Sequence, residues 1–296
     1  MEKNVIDLPI LFLIFNRPET TQAVFDEIKR FRPQRLFIAA DGPRNENEKI
    51  KTDITRDIVS QIDWDCDVHK LFREKNLGCK AAVSQAISWF FENVEYGAIL
   101  EDDCLPDQSF FYYCYDLLKK YENDDKVFMI SGQKPIPYPF IFNSYLFSKR
   151  AYIWGWATWK RSWQKYRLNI LEEENILNNL KSTGHIEKIL LKKRINDINS
   201  GKLNTWDLQL EIIQRKDCSL CIIPKRNLVE NIGFNISTHN FNKIDIFFQK
   251  RDKKELKMPL RYPKKIKISV FFDFCFLKIN ILRIILKKIF GDRNKK

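Results

Sequence analysis

A short apolar run that ends in three carboxylates constrains this chain more than any other feature. The segment reads Gly97-Ala98-Ile99-Leu100-Glu101-Asp102-Asp103. An apolar run of this length, bounded by a glycine and by charge, predicts a buried strand. Three neighbouring acids at its end repel one another unless a cation or a donor-rich ligand balances them. The run therefore predicts either an Mg²⁺ or Mn²⁺ site completed by substrate phosphates, or a solvated acidic turn before the next helix.

Strand-like and helical patterns alternate through the first 130 residues. The strand-like segments are Ile10–Phe15, Leu36–Ala40, Val68–Phe72, Ala98–Leu100 and Val127–Ser131. Helical periodicity lies between them, near residues 20–30, 46–62, 81–93 and 109–121. This alternation predicts an α/β fold, with a mostly parallel sheet and helices on both faces.

Polar clusters follow three of these predicted strands. They are Asn16-Arg17-Pro18, Asp41-Gly42-Pro43-Arg44 and the acidic triplet Glu101-Asp102-Asp103. Ligands of such sheets bind beyond the carboxyl ends of the strands. We therefore expect one binding site at a single edge of the sheet.

The net charge of +13 is concentrated at the end of the chain. Residues 250–296 carry 16 basic and 4 acidic groups, whereas the preceding 249 residues carry 35 and 34. A neutral body argues against a nucleic-acid partner, because nucleic-acid-binding domains spread basic residues over the binding face. The seven cysteines form no regular framework and indicate a reduced, cytoplasmic chain. We predict a catalytic domain over residues 1–245 and a basic tail over residues 246–296.

The tail contains a strongly apolar stretch, residues 268–290. Four basic groups from Lys278 onward make spanning a bilayer unfavourable, by roughly 2.5–3.5 kcal/mol each near the centre. The pattern predicts an amphipathic helix that lies in the plane of an anionic membrane surface, with its lysines toward the headgroups. Residues 260–296 would then hold the protein on the inner face of the plasma membrane. The alternative is a helix packed on the body or in a dimer.

Three further segments carry side chains suited to chemistry. In Trp154-Gly155-Trp156, aromatic planes could stack on a sugar ring, or could form a corner of the core. Asp207, in Asn204-Thr205-Trp206-Asp207, begins a helical pattern and is either a functional carboxylate or a first-turn acid. His239 follows Asn231-Ile232-Gly233 in a loop expected at the same edge of the sheet.

In this order, Asp41, the acidic triplet, the Trp-Gly-Trp segment, Asp207 and the late Gly…His pair resemble the nucleotide-sugar glycosyltransferases of the GT-A fold. One similar group is a set of bacterial glycosyltransferase-like proteins that share the Phe-Asn-Arg-Pro start, the Ala-Asp-Gly-Pro-Arg loop and the Trp-Gly-Trp-Ala-Thr-Trp run. A more distant group is the N-acetylglucosaminyltransferase I family, with its Glu-Asp-Asp motif. The resemblance covers roughly residues 8–240.

The resemblance implies roles for individual residues. Asp103 and His239 would hold Mn²⁺ or Mg²⁺, and Asp207 would be the general base. The donor-binding residues would be Asn16, Arg17, Asp41, Arg73, Asn76, Lys80, Glu101 and Asp102, with Asp41 facing the base. One departure from the N-acetylglucosaminyltransferase pattern is Leu208, which stands where a second carboxylate would follow the base.

The resemblance implies a metal-dependent, inverting hexosyl- or N-acetylhexosaminyltransferase. It would move a sugar from a nucleotide-sugar donor, in the first instance a UDP-sugar, to a glycan or lipid-linked acceptor in bacterial surface polysaccharide synthesis. One alternative is a sugar-phosphate nucleotidyltransferase, although Phe15-Asn16-Arg17-Pro18 lacks the usual glycine-rich loop after the first strand. The other is a non-catalytic protein that binds membranes or nucleic acid.

Overall fold

A computed structural model describes residues 6–180, 183–235, 247 and 250–290. A single eight-stranded sheet lies at its centre. The sheet strands are β1 (Ile10–Ile14), β2 (Arg35–Ala40), β3 (Asp67–Phe72), β4 (Tyr96–Glu101), β6 (Val127–Ser131), β7 (Tyr145–Ser148), β8 (Trp156–Trp159) and β9 (Leu220–Pro224). Two short strands, β5 (Cys104–Pro106) and β10 (Val229–Asn231), pair with each other.

Helices follow most of the strands. They are α1 (Pro18–Phe31), α2 (Glu46–Ile58), α3 (Gly78–Asn93), α4 (Gln108–Lys120), α5 (Lys160–Trp163), α6 (His185–Asn199), α7 (Asp207–Lys216) and α8 (Val270–Phe290). Two 3₁₀ turns cover Ile170–Glu172 and Gly233–Asn235.

The strand order is β3-β2-β1-β4-β8-β6-β9-β7. Strands β1 to β4, β6 and β9 run in one direction, while β8 and β7 run against them. This arrangement confirms the predicted α/β fold with a mostly parallel sheet. The GT-A subtype stays a prediction.

Helices cover both faces of the sheet, as the alternation predicted. Along β1, Phe12 packs with residues of α1 and α4, such as Phe25 and Phe110. Its neighbour Leu13 belongs to the opposite core cluster, which includes Phe90 of α3. Because both faces of β1 are buried, the strand is apolar throughout instead of alternating.

Strands β7 and β8 were not predicted from the sequence. Strand β8 runs antiparallel between β4 and β6, and Trp156 and Ala157 within it are 0% exposed. A four-residue strand buried on both faces shows no period of two, so its aromatic composition alone could not identify it.

The predicted domain boundary at residues 245 and 246 lies outside the described part of the chain. Downstream of it, residues 250–273 run along the body. Leu256 and Leu260 are buried, and the Arg261 backbone N–H donates to Ser144 Oγ at 2.8 Å. At the start of α8, the Ser148 hydroxyl donates to the Asp273 carboxylate at 2.6 Å. These contacts attach the segment before α8, and the first turn of α8, to the sheet domain.

No helix among the described residues is long and apolar enough to cross a bilayer. Helix α8 is amphipathic, but its orientation differs from the prediction. Arg283 and Lys287 line a cavity against the body, whereas apolar side chains such as Phe274 and Ile285 are 50% and 47% exposed. The polar side of α8 therefore faces protein, and much of its apolar side faces solvent.

Candidate functional site

A cavity of about 310 Å³ opens at the carboxyl ends of β1 to β4 and is called the strand-end cavity below. This is the edge at which the sequence predicted a binding site. Seven of the eight predicted donor-binding residues line it, five charged and two amides. They are Arg17, Asp41, Arg73, Glu101 and Asp102, with Asn16 and Asn76.

The acidic triplet meets Arg17 at one side of this cavity. Arg17 Nη1 donates to Asp103 Oδ2 at 2.6 Å and to Asp102 Oδ1 at 3.3 Å. The Phe15 backbone N–H donates to Asp102 Oδ2 at 3.1 Å. Arg17 precedes α1 and the acids follow β4, so the parallel pairing of β1 with β4 brings the two ends together. The solvated acidic turn is therefore not what forms here, since Asp102 and Asp103 are 6% and 8% exposed.

The ionised forms of Glu101 and Asp102 are disfavoured by burial and by their acidic neighbours. Burial, followed by the charges of Asp103 and Asp102, raises the pKa of Glu101. Burial also raises the pKa of Asp102, although Arg17 opposes the shift. A single guanidinium therefore does not compensate three neighbouring acids, and a further cation would lower the cost of ionising them.

The donor set fits a hard divalent cation, but the metal site is not preformed. Among the described residues, no group of three or more His, Cys, Asp or Glu side chains could hold a metal ion. Mg²⁺ needs only one or two protein carboxylates, because water and substrate phosphates complete its shell. Asp102 and Asp103 could supply those two ligands. His239, the other predicted ligand, lies outside the described residues.

Asp41 lines the strand-end cavity, yet its carboxylate is already engaged. Its oxygens accept from the backbone N–H groups of Gly42, Leu77 and Gly78, at 2.9 to 3.2 Å. Leu77 and Gly78 form the N-terminus of α3, where backbone donors have no partner within the helix. Asp41 thus holds α3 against the end of β2, which is a different role from the predicted contact with a base.

The other predicted donor-binding residues divide into two groups. Asn76 donates from Nδ2 to the Gly42 carbonyl at 2.7 Å and so joins the loops after β2 and β3. Arg73 lines the cavity directly. Lys80 does not line it, and its backbone N–H donates to Asn204 Oδ1 at 2.9 Å. Asn16 donates to Glu48 of α2 at 3.2 Å.

The Trp-Gly-Trp segment is mainly part of the core. Trp156 is 0% exposed and stacks on Trp206 with ring centroids 5.8 Å apart, so its predicted stacking on a sugar is wrong. Gly155 has a φ of 59°, and a Cβ there would collide with Val229. Its backbone approaches the protein rather than a ligand. Trp154 is half-buried against Phe234 and remains a candidate for sugar contact.

Asp207, the predicted general base, is the first residue of α7. Its Oδ1 accepts from the Thr205 hydroxyl, and its Oδ2 accepts from Arg194 Nη2 at 3.3 Å. Its charge adds to the raised pKa of Glu101, after burial and the nearer acids Asp103 and Asp102. It does not line the strand-end cavity.

Sequence reasoning missed the apolar wall of the cavity. Small and branched side chains from β2, β3 and α3 form it, namely Ala39, Leu71, Ala82, Val83 and Ala86. The spacing of Ala82, Val83 and Ala86 along α3 is the one signal that could have identified this face. Arg44, from the predicted Asp41-Gly42-Pro43-Arg44 cluster, also lines the cavity, and its guanidinium lies 5.6 Å from the Phe15 ring centroid.

Comparisons with known proteins gave matches among solved structures only. A scan against protein-family models and a search of curated proteins found no match. One similar structure is HddC from Yersinia pseudotuberculosis, at 8% identity and a TM-score of 0.31 over 52% of this chain and 77% of that chain. Another is 4-diphosphocytidyl-2C-methyl-D-erythritol synthase from Anaerococcus prevotii DSM 20548, at 9% identity and a TM-score of 0.32 over 69% and 83%.

The predicted enzyme class is corrected by this comparison. Neither structure is described as a hexosyl- or N-acetylhexosaminyltransferase, and one is named as a synthase of a diphosphocytidyl compound.

Proposed function

We propose that this protein transfers a nucleotidyl group from a nucleoside triphosphate to a phosphorylated sugar in the strand-end cavity. The observation that carries the proposal is the position of the Arg17 guanidinium, 2.6 Å from Asp103, beside an apolar slot. The apolar wall suits a planar base, because ligand pockets combine apolar lining with a few placed polar groups. A guanidinium suits phosphate oxygens, which it binds through two parallel hydrogen bonds.

The residues after β1 supply phosphate-binding chemistry without a glycine-rich loop. Arg17 stands at the N-terminus of α1, and this end of a helix attracts anions through its unpaired backbone N–H groups. Arg73 adds a second cation on the same cavity. Arg17 and Arg73 therefore offer two guanidinium groups for phosphate oxygens, beside carboxylates whose charge a divalent cation would balance.

The reaction is a displacement at the α-phosphorus. An oxygen of the sugar phosphate forms a new bond to that phosphorus, and the bond to the bridging oxygen of the β-phosphate breaks. Diphosphate leaves with the electron pair. A phosphate monoester is largely ionised near neutral pH, so no proton has to be removed from the attacking oxygen. This chemistry agrees with an Asp207 carboxylate that is engaged by Thr205 and Arg194.

The acidic triplet suggests a resident Mg²⁺ or Mn²⁺. When bound, the ion would offset negative charge on the triphosphate and on the leaving diphosphate. Asp102 and Asp103 are the residues that would hold it. Arg17 already neutralises part of their charge. Gly233 packs so closely against Asp103 that a Cβ at position 233 would collide with the Asp103 carboxylate.

Diphosphate release tests the proposal. Purified protein is given each of CTP, UTP, GTP and ATP with a panel of hexose 1-phosphates and Mg²⁺, and diphosphate is measured. We expect release with one nucleotide, reduced about 100-fold or more in Asp103→Asn. Asp53→Asn, at an exposed carboxylate of α2, is the matched control and keeps the wild-type rate. Cleavage of nucleotide sugars without diphosphate release from any triphosphate would contradict the proposal.

We also propose that α8 rests on an anionic membrane surface. One side of the helix presents an exposed apolar stripe with a lysine inside it: Phe271, Phe274, Lys278, Leu282, Ile285 and Ile289. Side chains of this kind insert into the boundary between headgroups and acyl chains, and nearby lysines attract anionic lipids. Phe140, which is 57% exposed, is a further apolar side chain at the start of α8, with its ring centroid 6.4 Å from that of Phe271.

A further inference from the structure

A second cavity, of about 500 Å³, lies beneath α8 and is called the α8 cavity below. It is enclosed by α6, α7, α8 and the segment between β7 and β8. It shares no lining residue with the strand-end cavity. The charged residues on its wall are Arg150, Glu187, Arg194, Asp207, Glu211, Arg215, Arg283 and Lys287.

Basic groups outnumber acidic groups on this wall, five to three. The acids are already paired. Arg215 Nη2 lies 2.7 Å from Glu211 Oε1, and Arg150 pairs with Glu187. Burial alone would raise the pKa of Glu211, but Arg215, Arg194 and Arg150 hold it at about 2. With five basic and three acidic side chains on its wall, the lining of the α8 cavity is basic overall.

Two buried donors on the wall have no acceptor. Arg150 and Tyr152 are each 8% exposed, and no hydrogen-bond partner for Arg150 Nε or the Tyr152 hydroxyl occurs among the described residues. Both residues line the α8 cavity. A buried polar group without a partner costs about 1–3 kcal/mol, so native proteins rarely leave two in one cavity.

We infer that the α8 cavity binds a phosphate group. A phosphate supplies several acceptor oxygens for the unpartnered donors and negative charge for the excess of basic groups. A neutral sugar would supply no negative charge, and a carboxylate offers fewer acceptor oxygens than a phosphate.

Two sources could supply this phosphate. Asp207 lines the α8 cavity, and Asn204, three residues before it, accepts from the Lys80 backbone N–H at 2.9 Å, next to Cys79 of the strand-end cavity, so the two cavities are neighbours. This favours the phosphate of a second, water-soluble substrate. The exposed apolar stripe on the outer side of α8 instead favours a lipid phosphate headgroup. The inference rests on the Arg150 and Tyr152 donors and does not require the proposed nucleotidyl transfer.

Titration calorimetry tests the inference, with inorganic phosphate and with monomeric dihexanoyl phosphatidic acid as probes. The decisive variant is Tyr152→Phe, which removes only an unpartnered hydroxyl. We expect it to keep or raise the melting temperature while weakening binding of the probe about tenfold. Arg283→Gln with Lys287→Gln should weaken binding by at least as much. Lys278→Gln with Lys288→Gln, on the exposed side of α8, is the matched control and should bind as wild type.

The two probes separate the sources. Equal affinity for both indicates a soluble phosphate ligand, and much tighter phosphatidic acid binding indicates a lipid headgroup. The inference is overturned if neither probe binds. It is also overturned if Tyr152→Phe and the double variant Arg283→Gln with Lys287→Gln both bind the probe as wild type does. Nucleotide titrations of Tyr152→Phe should match wild type, so failure here is distinguishable from failure of the strand-end site.

Discussion

Arg17 and Asp103, which are 86 residues apart, form a hydrogen-bonded ion pair at 2.6 Å. The pair joins the end of β1 to the end of β4. Arg17 also pairs with Asp102, so one guanidinium contacts two buried carboxylates. Removal of one member of a buried pair leaves an uncompensated charge and commonly costs 3–5 kcal/mol.

The Arg17→Gln substitution should therefore destabilise the protein in a pH-dependent manner. The two carboxylates lose their cation, and because burial raises the pKa of Asp102, the loss matters most at a pH where Asp102 is ionised. We expect the free energy of unfolding to fall by about 3 kcal/mol near pH 8 and by less near pH 5, where protonation relieves the repulsion. Urea unfolding at the two pH values measures it. An equal loss at both would show that Arg17 stabilises by packing alone.

The Glu101→Gln substitution should stabilise the folded protein, whereas Arg17→Gln destabilises it. Burial and the neighbouring acids raise the pKa of Glu101 above its unfolded value, so the folded state binds more protons than the unfolded state between the two values. Stability conferred by protonated Glu101 is present below the unfolded pKa and is lost as pH rises. Glutamine mimics the protonated acid at every pH.

We therefore expect Glu101→Gln to melt about 2–4 °C above wild type near pH 8, without divalent cations, and at the same temperature near pH 4. Added Mg²⁺ with nucleotide should narrow the gap, because a cation lowers the cost of ionised carboxylates. A variant that melts below wild type at pH 8 would contradict the assigned charge repulsion.

Cys79 should react slowly with thiol reagents for an exposed residue. Desolvation of the sulfur, then the carboxylates of Glu101, Asp207 and Asp41, raise the pKa of Cys79 to about 12. Because the thiolate is the nucleophile, we expect labelling by N-ethylmaleimide at least about tenfold slower than at Cys218, which is also exposed. Mass spectrometry of both peptides measures the rates, and labelling in urea should equalise them. Similar native rates would place Cys79 outside the acidic field.

The two tryptophans of the Trp-Gly-Trp segment should differ in their contribution to stability. Trp156 is 0% exposed within a cluster with Trp163 and Trp206, whereas Trp154 is half-buried. We expect Trp156→Ala to lower the free energy of unfolding by about 3–5 kcal/mol, and Trp154→Ala by about 1 kcal/mol. Urea midpoints test this. Equal effects would contradict the assignment of Trp156 to the core.

The exposed side of α8 should carry membrane binding. We expect wild type to sediment with phosphatidylglycerol vesicles and Ile285→Glu with Ile289→Glu to bind about tenfold more weakly, since charges replace inserting side chains. Ile50→Glu with Ile54→Glu, on exposed positions of α2, is the matched control and should sediment as wild type. Deleting residues 260–296 would also remove the buried side chains of Leu260 and Phe272, so point substitutions are the cleaner test. Loss of binding in both pairs would show an effect of charge alone.

Local sequence signals were sufficient to predict the strands and helices that form the strand-end cavity. Strand β1 was predicted as Ile10–Phe15 and is found as Ile10–Ile14, and α3, predicted from residue 81, begins at Gly78. Apolar runs bounded by charge and helical periodicity are properties of neighbouring residues, so the chain itself records them. The convergence of Arg17 and the acidic triplet on one edge followed from the parallel sheet.

The tertiary structure decided what each polar residue does there. Asp41 was predicted to meet a ligand, but it holds the N-terminus of α3, because three backbone donors come within reach only when β2 and α3 are packed. Trp156 was predicted to stack on a sugar, but it is buried because β8 inserts between β4 and β6.

The orientation of α8 shows the same division. The sequence by itself determined that residues 270–290 form an amphipathic helix, since a polar stripe at helical spacing is a local property. Only the tertiary structure decided that Arg283 and Lys287 turn toward the body. The other residues of the α8 cavity, such as Glu187 and Glu211, lie on α6 and α7 and reach it through packing. A side chain's partner depends on which distant segments share its surroundings, and spacing along one segment does not encode that.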